Sequence, residues 1–64
     1  MDNVRHLRRE KSWSQHDLAH EARVRQALVS AIEVGTANPT LFSIEKIASA
    51  LQVSVADLFS DKSR

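Results

Sequence analysis

The chain carries very little with which to break a helix: one glycine, Gly35, and one proline, Pro39, in 64 residues. A small sandwich or barrel would need turn residues roughly every 8–12 positions, and alanine, leucine, serine and valine stand there instead. The scarcity of breakers predicts an all-α chain, a compact bundle of short helices joined by few loops. A chain of this length lies near the lower limit for folding without staples. Because it has no cysteine, neither disulfides nor thiolate metal sites can help. The core must come from close helix packing within a single domain over 1–64.

Capping residues and apolar periodicity predict five helices at about 3–11, 15–22, 26–34, 41–51 and 55–60. In the first, Val4 and Leu7 share a face. The second opens at Ser14, with Asp17 three residues on as the partner of a capping box and Trp13 closing over Leu18 as a hydrophobic staple; Leu18, Ala19 and Ala22 face inward. The third buries Val29 and Ile32 and stops at Gly35, suited to the left-handed position beyond a helix end. After the loop Thr36-Ala37-Asn38-Pro39, Thr40 caps a fourth helix whose Ile44, Ile47, Ala48 and Leu51 make one buried stripe. The fifth starts at Ser54, with Asp57 as box partner and Val53 against Leu58, and carries Val55 and Phe59. The polar tail from Ser60 to Arg64 reads as frayed.

Net charge is only +1, far from the basic excess that announces nucleic-acid binding by itself. The distribution is more telling. Arg5, Arg8, Arg9, Lys11, Arg23 and Arg25 all fall in residues 1–25, against Asp2, Glu10, Asp17 and Glu21. No apolar run approaches the roughly 20 residues of a membrane span, and no apolar stretch follows the first basic residues as in a signal peptide. The expected setting is the cytoplasm, with no membrane partner.

The informative stretch is 14–35: a capped helix, a turn around Arg23-Val24-Arg25, and a second short helix. Ala19 is small where two helices must cross, and Val24, Val29 and Ile32 supply the contacts that set the angle. This is the pattern of a helix-turn-helix, whose first helix lies across the DNA backbone while the second enters the major groove.

The same residues resemble the Cro/C1-type helix-turn-helix regulators, which include lambdoid phage repressors and short bacterial regulators. The likeness runs through Leu7-Arg8, Ser14-Gln15, Asp17-Leu18-Ala19, Val24, Val29-Ser30, Ile32-Glu33, Gly35, Asn38-Pro39-Thr40-Leu41, Ile44, Ile47-Ala48, Ala50-Leu51, Val53-Ser54-Val55 and Leu58-Phe59, with no insertion or deletion. It implies a lambda-repressor-like domain that binds double-stranded DNA as a transcriptional repressor, a homodimer on an inverted repeat, with no cofactor. It also implies roles. Gln15 falls where the family bonds a DNA phosphate at a helix N-terminus, and Arg23, Arg25 and Asn38 are expected on phosphates too. Gln26, Ala27 and Ala31 fall on base-reading positions, with Ser30 and Arg25 adding polar readout. A glutamine amide can bond adenine N6 and N7 together, so an A·T pair is expected beneath Gln26. Arg8 and Glu33 match a structural ion pair. Val55, Leu58 and Phe59 are either core or a dimer interface.

Two positions depart from the family pattern. Arg23 replaces the turn glycine and must either turn left-handed, at about 1 kcal/mol, or reshape the turn. Arg25 replaces the usual Ser/Thr cap. Elsewhere, His16 and His20 stand four apart like the ligands of a zinc protease, but Asp17 stands where that motif has glutamate and no third ligand is evident, so exposed helix histidines and no metal are expected. Leu28 is either a thymine-methyl contact or extra core. Trp13 reads as packing, and Arg5 and Arg9 as solvated. The competing functions are a restriction–modification controller or antitoxin with the same DNA-binding mode, and a protein–protein adaptor that kept the fold. Catalysis is not expected, since five short helices leave little room for a pocket of convergent polar groups.

Overall fold

A computed structural model describes residues 3–59, and each predicted helix start holds to within a residue: α1 Val4–Glu10, α2 Gln15–Ala22, α3 Gln26–Val34, α4 Leu41–Leu51 and α5 Val55–Leu58. Among the described residues there is no strand. Local chemistry explains the starts. Ser14 and Ser54 each accept from the backbone N–H three residues on, while Asp17 and Asp57 reach back to the cap N–H, so both capping boxes are closed. Thr40 Oγ1 accepts from Ser43 N–H at 3.1 Å. Such caps contribute about 1 kcal/mol each by satisfying N–H groups that the helix cannot. α5 ends at Leu58, two residues short of the expected Ser60; that residue and the expected frayed tail lie outside the described residues.

Each helix contributes one fully buried aliphatic side chain to a common core: Val4, Leu18, Val29, Ile47 and Leu58. The buried alanines Ala19, Ala22 and Ala48 lie on α2 and α4, where small side chains let backbones approach. α2 packs against both α3 and α4, α5 packs on α4, and α1 rests on α3. Asn3 closes the ring of elements: its N–H donates to Leu58 O at 3.3 Å and its Nδ2 to Asp57 O at 2.9 Å, tying the start of α1 to the end of α5.

One device stops four of the helices. After α1, α2, α3 and α4 a left-handed residue (Ser12, Arg23, Gly35, Gln52) is followed by an N–H that reaches back five residues: Trp13 to Arg8 O, Val24 to Ala19 O, Thr36 to Ala31 O and Val53 to Ala48 O. This is the Schellman arrangement, in which a hydrophobic residue after the left-handed one commonly packs back on the helix. Trp13, Val24 and Val53 fill that role, half-buried against the core.

Candidate nucleic-acid interface

Arg23 resolves the question left open at the turn: it adopts the left-handed conformation, φ 60° and ψ 44°, and the turn keeps its shape. Arg25 precedes α3 in an extended conformation and gives the helix no side-chain cap. Both arginines are exposed, and neither forms an ion pair among the described residues.

Val29 and Ile32 anchor α3 in the core, and the helix period then turns Gln26, Ala27, Ser30 and Ala31 away from it. Gln26 and Ala27 are exposed, Ser30 and Ala31 partly so. Leu28 packs on the core, which makes it added core rather than a free apolar tip. Asn38 is exposed in the loop after α3. Gln26, Ala27, Ser30 and Ala31 form a surface on one helix, flanked by two guanidinium groups without an ion-pair partner among the described residues. Such a surface can read an edge and hold anions.

Behind the outer row of α3 lies a polar cluster. The Glu33 carboxylate is fully buried and takes Arg8 in a bidentate pair, Nε to Oε2 at 2.7 Å and Nη2 to Oε1 at 3.0 Å. The third arm of Arg8, Nη1, donates to Trp13 O at 2.8 Å, so one guanidinium joins α1, α3 and the entry to α2. Burial pushes the Glu33 carboxyl up, but the hydrogen bonds from Arg8 and Gln15, with the Arg8 charge, outweigh it and hold it below its ordinary range. Gln15 Nε2 donates to Glu33 Oε1 at 3.0 Å, and Arg5 Nε reaches the same oxygen at 3.5 Å.

One amide hydrogen of Gln15 is committed to Glu33, and the second has no acceptor among the described residues. Leu58 has no exposed surface, because the short α5 needs one large side chain to fix it to α4. Of the three residues expected either in the core or at a dimer interface, Leu58 is therefore core, while Phe59 is 55% exposed and Val55 half-buried. Arg5 is exposed, as expected, and also reaches Glu33. Nothing local in the sequence could reveal these links, which join residues 18 and 28 positions apart.

The model of the helix-turn-helix family matches residues 4–58. This chain belongs to that family, as the Cro/C1-type likeness implied. It is 46% identical over 56 residues to control protein C.BamHI of Bacillus amyloliquefaciens, covering 86% of this chain and 69% of that one. With the Neisseria hypothetical transcription factor of Neisseria meningitidis serogroup B it shares 41% identity over 56 residues, 88% of this chain and 53% of the relative. Its fold matches the N-terminal DNA-binding domain of SinR from Bacillus subtilis with a TM-score of 0.85 at 33% identity, covering 97% of this chain and 91% of that domain. The chain spans about half the length of the Neisseria relative and of full SinR.

Proposed function

We propose that this chain is a sequence-specific double-stranded-DNA-binding domain of a transcriptional regulator, one domain over 1–64 with its helix-turn-helix unit at 14–35. α3 enters the major groove and α2 lies across the backbone. The observation that carries the reading is α3 itself: an anchored helix whose outer row is Gln26, Ala27, Ser30 and Ala31, opened by two arginines with no ion-pair partner among the described residues. Gln26, Ala27, Ser30, Ala31 and Arg25 face the bases; Gln15, Arg23, Arg25 and Asn38 hold phosphates. The protein works by binding rather than catalysis, in the cytoplasm; among the described residues no helix is long and apolar enough to cross a membrane. Repression follows from occluding polymerase at the bound site.

The bound form is a homodimer on an inverted repeat. The longest dimension of the described residues is 28 Å, shorter than the ~34 Å between successive major grooves on one face of the duplex, so one copy reads one half-site. Phe59 is the contact residue, at the rim of a recess of about 240 Å³ lined also by Ile32, Ala37, Pro39 and Ile44.

The test is binding of a duplex recovered by selection from random sequence, against its scrambled counterpart, at two salt concentrations. Preference for the selected duplex and a loss of affinity with salt are expected. Absence of both would remove the DNA-binding reading and leave the adaptor. Control of a restriction–modification cassette is the second reading, favoured by the likeness to C.BamHI; adjacent nuclease and methyltransferase genes would distinguish it.

A further inference from the structure

The Arg8–Glu33 pair is complete without Gln15. Two hydrogen bonds at 2.7 and 3.0 Å already join guanidinium and carboxylate, yet Gln15, the first residue of α2, donates its Nε2 to the same Oε1 at 3.0 Å. A carboxylate accepts and cannot donate. The amide nitrogen therefore has to face Glu33, and flipping the carboxamide would set two oxygens against each other. Because the amide is planar, holding one N–H fixes the direction of the other. That second N–H is a donor with no acceptor among the described residues.

We propose that Glu33 is a positioning residue for DNA binding: its buried carboxylate locks the Gln15 carboxamide so that the second N–H, never the carbonyl oxygen, meets a backbone phosphate. This rests on the DNA-binding reading above. Glu33 touches no DNA. It transmits the rigidity of the Arg8 pair, which spans α1 and α3, to the first residue of α2, and the positive charges of Arg8 and Arg5 offset its own charge beside the phosphate. A contact preset in this way loses little conformational freedom on binding, the general advantage of preorganisation.

A double-mutant cycle on the affinity for the selected duplex tests it, using Gln15→Ala, Glu33→Gln and the double variant, each shown by thermal unfolding to be folded at the assay temperature. Losing one hydrogen bond to a phosphate should weaken binding about five-fold. Glu33→Gln should match Gln15→Ala, and the double variant should be no weaker than the weaker single. Multiplying losses, or an unchanged affinity in Glu33→Gln, would overturn the proposal. If Glu33→Gln does not fold, the wild-type protein decides by amide NMR: duplex addition should shift one Gln15 side-chain proton downfield while its mate stays protected by Glu33. Stationary Gln15 protons beside shifted Gln26 resonances would overturn the positioning role alone. No shift anywhere would overturn the DNA-binding reading and the positioning role with it.

Discussion

At Glu33 the buried ion pair and the proposed phosphate contact meet on one side chain. Removing one partner of a buried pair costs about 3–5 kcal/mol, against a total of roughly 3–10 kcal/mol for a chain of this size. The pair also makes stability depend on pH. Burial raises the Glu33 carboxyl, while Arg8 and Gln15 lower it more, so the folded value lies below the unfolded one. A depressed carboxyl stabilises above its unfolded value of about 4.3 and loses that contribution as pH falls through the lower folded value. Urea unfolding between pH 7 and pH 3 should therefore show the wild type declining more steeply on acidification than Glu33→Gln. Asp17 is also held below its ordinary range, chiefly by the hydrogen bond from the Ser14 backbone N–H, and leaves the variant a residual slope. Parallel profiles would mean that Glu33 carries no pH-dependent stability.

At the scale of elements, beginnings were easier to read than endings. Ser14, Thr40 and Ser54 announce α2, α4 and α5 because a side chain adjacent in sequence caps the helix, and the boxes with Asp17 and Asp57 are equally local. Endings depend on a left-handed residue: Gly35 advertises one, Arg23 is marked only by standing at the family's turn glycine, and Ser12 and Gln52 give no sign, although the expected ends at 22, 34 and 51 match those of α2, α3 and α4. Ser12, Arg23 and Gln52 adopt the same conformation with a Cβ, held by the packing of Trp13, Val24 and Val53, which is a better signal here than glycine. The inner row of α3 was legible from its period, and Leu28 became core only once α3 was docked. Gln15 on Glu33 was beyond sequence reasoning, since the contact exists only after α2 and α3 have crossed. The strained turn carries a prediction. Arg23→Gly should gain about 0.5 kcal/mol in urea unfolding, the relief of a left-handed Cβ less the entropy glycine adds to the unfolded chain. The same change should weaken duplex binding and lower the salt slope by about 1. Unchanged affinity and slope would show that Arg23 meets no phosphate.

The whole molecule divides its apolar residues between a core that one copy completes and a few that it leaves outside. Leu58 and Phe59 are neighbours in sequence on opposite sides of that division, 0% and 55% exposed. Leu58→Ala should cost about 2–5 kcal/mol by opening a cavity between α4 and α5. Phe59→Asp should leave the unfolding of the single chain within about 0.5 kcal/mol while shifting sedimentation toward monomer on the selected duplex. Equal sedimentation of wild type and Phe59→Asp would place the dimer contact elsewhere. The central claim, however, is that α3 reads bases through Gln26. It is tested most directly by measuring affinities of the wild type and Gln26→Ala across every single-base variant of the selected site. The substitution should flatten preference at one A·T position by about 1–3 kcal/mol and leave the other positions as they were; an identical preference profile for the two proteins would contradict base reading through Gln26.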